Sequence, residues 1–300
     1  MPPPNRSRRF AALLCALLAL AIVGASRVGS GPAILLPPPS VEPGTTVLLA
    51  MGDVSSCTQT ADDAVAALAA SLPGTIALLG DIAYPVGSKA DFTNCFRPSW
   101  GPMLPRIRPA PGNHEYEQVG ADPYFAEFGS AAGTPGEGWY SYELGTWHVV
   151  VLNSNCDLIV GCGPGSPQLA WLEADLAATS ARCTLAYWHH PRFSSGRHGD
   201  SEFMDPPWDA LASAGADLVL MSHDHDYERF GPIDGMRSFV VGTGGRSHYE
   251  MLRFPHVASE LRANDSYGLL MLSLHPDGYD WRFIAVAGGG LADAGSDACR

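Results

Sequence analysis

The chain has 300 residues, 31 acidic against 18 basic side chains and a formal charge of −13, with 46% apolar and 16% charged residues. That apolar fraction suits a globular chain and excludes general disorder, and the length allows one large domain or two small ones, each with a sizeable core. So negative a balance, with Lys89 the single lysine and no basic tract beyond the first residues, argues against affinity for nucleic acid or an anionic membrane, both of which need clustered Lys and Arg.

Residues 1–25 read as an export address. Arg6, Arg8 and Arg9 precede an apolar run over 11–23 that closes on Val23, Gly24 and Ala25, matching the charged, apolar and cleavable regions of a secretory signal peptide. The run is too short to span a bilayer, which takes about 20 residues. Arg8, Arg9 and Phe10 match a twin-arginine signal only in part, so both export routes stay open. Cleavage after Ala25 removes arginines and no acid, taking the charge from −13 to −16. A Pro-rich leader follows over 26–44, and 45–300 reads as one domain without internal repeat or low-complexity linker.

Cys15 falls in the signal; Cys57, Cys95, Cys156, Cys162, Cys183 and Cys299 remain. An even set in an exported chain suggests disulfides, with many connectivities open. Cys156 and Cys162 bracket a short Gly-containing loop, so the pairing favoured here joins them and leaves Cys57 with Cys95 and Cys183 with Cys299. No CxxC pair is present, against a zinc knuckle or thioredoxin-like site.

From residue 45, five apolar runs each stop at a polar cluster: TVLLAMGD at Asp53, TIALLGD at Asp81, RIRPAPGNHE at Asn113 and His114, TLAYWHH at His189, and DLVLMSHDH at His223 and His225. Such runs, bounded by turn residues, predict buried strands of sheets covered on both faces. One helix is predicted near 62–71. Another is predicted over 166–178, with Ser166 placed to cap, Pro167 at the first helical position and Leu169, Leu172 and Leu176 at helical spacing. GWYSYEL, WHVVVLNS, SFVVGTGG, SYGLLMLSLHP and YDWRFIAVAG predict further strands, while 117–138 and 192–207 read as loops. Strand, polar loop and helix, repeated, is the α/β arrangement in which sites assemble beyond the carboxyl ends of strands. Two packed sheets in one domain is the economical fold.

Taken singly, a GD after a strand is a turn and a lone histidine is a core residue. Taken together, His114, His189, His190, His198, His223 and His225, six of the ten histidines, fall in or beside these loops. Two aspartates, one Asn and three His at the ends of separate strands offer mixed oxygen and nitrogen donors, which suit borderline or hard transition metals better than zinc-thiolate or calcium sites.

These blocks, in order GD at Asp53, GDIAY over 80–84, GNHE over 112–115, AYWH ending at His189 and SHDHDYER around His223 and His225, resemble the purple acid phosphatase branch of the dinuclear metallophosphoesterases (calcineurin-like phosphoesterases), in a bacterial secreted form. The resemblance covers nearly all of 53–300 and implies an α/β (α+β) fold, a four-layer αββα sandwich of two mixed β-sheets flanked by helices. It implies that Asp53, Tyr84 and His225 hold one metal and Asn113, His189 and His223 the other, with Asp81 bridging both. Where relatives with two divalent ions carry a DxH block whose His is a ligand, this chain has Asp53, Val54 and Ser55, and Tyr84 supplies the exchanged donor. A phenol with a free pKa of about 10 becomes a ligand readily only against a strong Lewis acid, so Tyr84 points to Fe(III), with a divalent Fe, Zn or Mn beside it. Ser222 replaces the family's usual glycine and Ala186 its usual valine; neither change removes a donor. The short interval before the first strand leaves no room for the N-terminal β-sandwich of large plant members.

Such a pair implies hydrolysis of phosphate monoesters by a hydroxide formed on the metals, with no protein nucleophile. By family position His198 is the general acid for the leaving alkoxide, and His114, with Asn113, contacts the phosphate. His190 either orients a ligand or packs. A phosphodiesterase or nucleotidase on the same site is the alternative, and a non-catalytic exported metal-binding protein the third reading. The expected partner is a small phosphorylated substrate, with no nucleic acid and no membrane span once the signal is removed; the oligomeric state stays open.

Overall fold

The computed structural model describes residues 45–252 and 254–300; the signal peptide expected over 1–25 and the leader over 26–44 lie outside them. The apolar runs form strands whose continuous hydrophobicity answers to burial on both faces. Thr46–Met51, Thr75–Leu79 and Ile107–Ala110 pair in parallel. Gly268–His275 joins Thr46–Met51 antiparallel, and Gly278–Ala285 and Ala294–Ala298 follow it outward, completing a six-stranded mixed sheet.

The second sheet has seven strands, in spatial order Ser259–Ala263, Tyr227–Ile233, Met236–Val241, Leu218–Met221, Cys183–Tyr187, Trp147–Val151 and Tyr140–Leu144. The four from Met236–Val241 to Trp147–Val151 run parallel, with antiparallel strands outside them. Successive side chains of a strand point to opposite faces, and the second sheet divides accordingly. Val149, Val151, Leu185, Tyr187, Leu218 and Leu220 share one core with the first sheet. Val150, Leu152, Ala186, Val219 and Met221 turn the other way, onto Leu169 and Leu172 of helix Pro167–Ala178 and Trp208 and Leu211 of helix Asp205–Ala214. Helix Ala61–Ser71 packs Val65, Ala66 and Ala69 against the first sheet. Helices thus flank two packed mixed sheets, the expected architecture.

Ser166 caps its helix as its position predicts, accepting a hydrogen bond from Leu169 N at 3.2 Å ahead of Pro167. The segments read as loops hold more order than expected. Helix Asp122–Phe128 lies inside 117–138, with Pro123 in its first turn and Tyr124, Phe125 and Phe128 buried. Helix Asp205–Ala214 starts inside 192–207. Each is short, and tertiary burial of aromatic residues holds it more than its own propensity does.

The three disulfides join Cys57 to Cys95, Cys156 to Cys162 and Cys183 to Cys299, with Cα separations of 4.8, 5.2 and 5.6 Å. The last closes 116 residues and ties the chain end, beside Ala294–Ala298 of the first sheet, to a strand of the second. Among the described residues no helix is long and apolar enough to cross a membrane.

Candidate metal centre

At one edge of the sandwich the two sheets are stitched through backbone groups. Gly52 N donates to Val241 O at 2.8 Å, and Gly244 N to Gly52 O at 2.9 Å. The carboxyl ends of Thr46–Met51, Thr75–Leu79 and Ile107–Ala110 bring Asp53, Asp81 and Asn113 here; those of Cys183–Tyr187 and Leu218–Met221 bring His189, His223 and His225. Asp53, Asp81 and His223 adopt left-handed φ of 59°, 50° and 70°. A non-glycine residue in that region costs about 1–3 kcal/mol and persists only where its surroundings dictate it.

Those surroundings are explicit. The buried Glu115 carboxylate accepts from Asp81 N at 2.9 Å, Ile82 N at 2.8 Å, Ala83 N at 3.3 Å and Gly112 N at 2.8 Å, clamping two polar loops together. His223 N donates to Asp53 Oδ2 at 3.0 Å, and His114 N to Asp81 Oδ1 at 2.9 Å. Each carboxylate therefore has one oxygen anchored by a backbone N–H and the other directed inward. The packing is close enough to demand glycine at two points: a Cβ on Gly80 would lie 2.6 Å from His189 Nδ1, and one on Gly112 would lie 2.2 Å from Asp81 Oδ1.

The inward atoms form two groups with one shared member. Tyr84 Oη lies 2.8 Å from Asp53 Oδ1, 3.0 Å from Asp81 Oδ2 and 3.1 Å from His225 Nε2. His189 Nε2 lies 3.3 Å from the same Asp81 Oδ2, 3.2 Å from Asn113 Oδ1 and 3.1 Å from His223 Nδ1. His189 Nδ1 donates to Leu79 O at 2.8 Å and His225 Nδ1 to Ser247 O. Those bonds leave each Nε2 lone pair facing the centre, as outer partners of metal-bound histidines do.

Burial opposes protonation of His189, yet the adjacent Asp81 carboxylate raises its pKa to about 9. Burial first, then the positive charge at His189, drives His190 down to about 3 and His223 well below the usual range. Burial, with Asp53 and Asp81 beside it, pushes the Tyr84 phenol far up. Two buried carboxylates, imidazole nitrogens and a phenol that yields its proton only to concentrated positive charge fit hard or borderline cations. Potential ligand atoms of Asp53, Asp81 and His189, and of His189, His190 and His223, lie within 4.8 Å of one another. A third such group, Cys183, Asp217 and Cys299, offers no thiolate, because both sulfurs are in a disulfide.

His114 and His198 sit at the rim. The His114 ring is 4.4 Å from that of Tyr84, and its Nε2 is 3.7 Å from Asp81 Oδ2. The His198 ring is 4.3 Å from that of His223, and its backbone N donates to Asp224 Oδ1 at 2.8 Å. His190 is held by Ser154 Oγ at 2.8 Å from its Nδ1, with its ring 4.5 Å from that of His223. The structure thus brings every expected site residue together.

Sequence reasoning missed Tyr249, whose ring stacks on His225 at 3.8 Å, and Arg246, whose guanidinium carbon is 5.0 Å from the Tyr84 ring centre. The available signal was GTGG: like the loops of Asp53, Asp81 and Asn113, it follows an apolar strand directly. The Glu115 clamp was visible only as the last letter of GNHE.

The family profile for calcineurin-like phosphoesterases matches residues 46–227. The chain is 26% identical over 251 residues to purple acid phosphatase 15 of Arabidopsis thaliana, covering 69% of this chain and 46% of that protein. It is 28% identical over 149 residues to human acid phosphatase type 7, covering 43% and 34%. The chain therefore spans less than half the length of these curated relatives. Among solved structures, purple acid phosphatase PPD1 from yellow lupin superposes with a TM-score of 0.75 at 16% identity, covering 86% of this chain and 55% of that one. GAP50, described as the anchor in the inner membrane complex of Plasmodium, gives 0.70 at 14% identity, covering 85% and 89%. Likeness at that identity speaks for the fold alone, so what the site does must be argued from its donors.

Proposed function

Because the chain belongs to the calcineurin-like phosphoesterase family, we propose that it is an exported phosphatase that hydrolyses phosphate monoesters at a pair of metal ions. The observation that carries this reading is the division of seven inward donors into two sets sharing Asp81 Oδ2. Asp53, Tyr84 and His225 would hold Fe(III); Asn113, His189 and His223 would hold divalent Fe, Zn or Mn; Asp81 would belong to both. When bound, the pair supplies Lewis-acid charge to the phosphoryl oxygens and a water nucleophile near neutral pH.

The chain's own groups do the rest. His114, beside Asn113 and against the Tyr84 ring, hydrogen-bonds the phosphoryl group at the rim. His198 donates an imidazole proton to the leaving oxygen as the P–O bond breaks, which an imidazole does well at mildly acidic pH. His190, neutral and fixed by Ser154, packs against His223 and holds its ring. Export is supported by three disulfides, which persist in oxidising compartments, and by the signal expected over 1–25.

Metal analysis and a visible spectrum of the purified protein, with rates on 4-nitrophenyl phosphate and bis(4-nitrophenyl) phosphate, test the reading. It expects iron, a visible band weakened in Tyr84→Phe, and joint loss of metal and monoesterase activity in Asp81→Ala. Preference for the diester would make the protein a phosphodiesterase, and full metal occupancy without turnover of either ester would make it a binding protein.

A further inference from the structure

Two arginines beside the centre have aromatic rings and no carboxylate as neighbours within ion-pair distance. Arg97, Arg192, Arg229 and Arg237 each pair with a carboxylate. Among the described residues no ion pair engages Arg246 or Arg197, although acids outnumber bases 31 to 18. Both lie on pinned backbone. Arg246 N donates to Asp53 O at 2.9 Å, directly after Gly244 and Gly245, and a Cβ on Gly245 would lie 2.3 Å from Asp62 Cα. Arg197 lies between Gly196, whose N donates to Ser194 Oγ at 2.9 Å, and His198, whose N donates to Asp224 Oδ1 at 2.8 Å.

Their heads lie by two aromatic rings that border the centre. Arg246 Cζ is 5.0 Å from the Tyr84 ring centre, and Arg197 Cζ is 5.3 Å from that of Tyr249, which itself stacks on His225 at 3.8 Å. The Tyr84 hydroxyl faces Asp53 and Asp81, and Arg246 lies by the ring that carries it. Arg197 is exposed beside Tyr249. Positive charge at the border of the donor set suits an anionic group that projects from it. Guanidinium groups recognise phosphate and carboxylate through paired N–H donors.

We propose that Arg246 and Arg197, on the Tyr84–Tyr249 flank, form an anion subsite that receives a second phosphate or carboxylate of the substrate. This rests on the phosphatase reading and narrows its substrate class to small esters bearing two anionic groups. The Tyr84 and Tyr249 rings, within reach of the two guanidiniums, supply cation–π attraction. The subsite adds recognition and no bond-making step.

The test compares kcat/KM on pairs that differ by one anionic group: fructose 1,6-bisphosphate against fructose 6-phosphate for phosphate, and 2-phosphoglycerate against glycerol 2-phosphate for carboxylate. The native protein is expected to prefer the doubly anionic member of one pair at least, and that pair names the anion. Arg246→Gln and Arg197→Gln should each erode the preference on the order of tenfold, the scale of one charge-assisted contact. The ratio is the readout, whatever the absolute rates. No preference in the native protein, or equal loss on both members of a pair, overturns the subsite. Calorimetric titration with inorganic pyrophosphate and orthophosphate gives an independent answer. Tighter pyrophosphate binding that both substitutions weaken supports the subsite even if no ester turns over, a result that would sink the phosphatase reading alone. Equal binding of the two anions sinks the subsite alone.

Discussion

Replacing Glu115 by Gln changes one atom and tests whether the Asp81 loop is held in its left-handed turn by charge-assisted bonds. The carboxylate is fully buried and accepts four backbone N–H groups, two on each oxygen. An amide keeps one acceptor oxygen and turns an NH2 group toward the other two donors. Two buried backbone donors then lose their partner, at about 1–3 kcal/mol each, so the expected loss is roughly 2–6 kcal/mol against a typical net stability of about 5–15 kcal/mol. For a domain of this size that is a fall in Tm of roughly 5–20 °C. Asp81 N is among the four donors, so metal content should fall with stability. Thermal unfolding by circular dichroism and metal analysis of the same preparation measure both. A Glu115→Gln variant that melts within about 2 °C of the native protein, with full metal, would refute the reasoning.

Three further outcomes are expected. His148 is raised above 6.5 by its hydrogen bond to Asp175, with burial opposing and Glu143 assisting; Asp175, despite burial, is held below 3.8 by His148. The histidine contribution is complete below pH 6.5 and lost as pH rises through the raised value. The aspartate contribution is present above pH 3.8 and lost as pH falls through the lowered one. The stability gap between the native protein and His148→Phe should therefore be widest between those limits and shrink toward pH 9; a pH-independent gap in urea melts would contradict this. Burial, with Asp224 and Glu228 nearby, pushes Asp226 far up, and neither of its oxygens has a partner. Asp226→Asn should thus shift stability by less than about 1 kcal/mol, whereas Asp224→Asn, which disturbs acceptors for Ser194 Oγ and His198 N, should cost about 1–3 kcal/mol; equal effects in denaturant titrations would count against the assignment. Replacing both Cys183 and Cys299 by Ala opens a span of 116 residues and should cost about 2–5 kcal/mol, and a melting point unchanged in the double variant would show the chain end to be held by Arg300 N on Asp217 and its neighbours.

Asp53, Asp81, Asn113, His189, His223 and His225 were legible in the sequence because each ends an apolar run, so one-dimensional pattern and three-dimensional position coincide. Ser166 and Pro167 were legible because a cap is a local interaction. Tyr249, Arg246 and Arg197 were not, since 242–258 and 192–201 carry no period and acquire meaning only where they approach Tyr84 and His225 from other parts of the chain. Ala294–Ala298 was hidden for a related reason. Its residues AGSDA show no apolar alternation, and the strand exists because Gly278–Ala285 presents an edge and Cys299 is tethered behind it.

The donors are split between the sheets, with Asp53, Asp81 and Asn113 hanging from one and His189, His223 and His225 from the other. An ion held by both sets would therefore be a fastener across the seam of the sandwich, and its binding free energy would also be energy of cohesion between the layers. Chelation should be felt as a mechanical loosening: amide exchange would quicken together in Thr75–Leu79 and Leu218–Met221, strands that lie in different sheets.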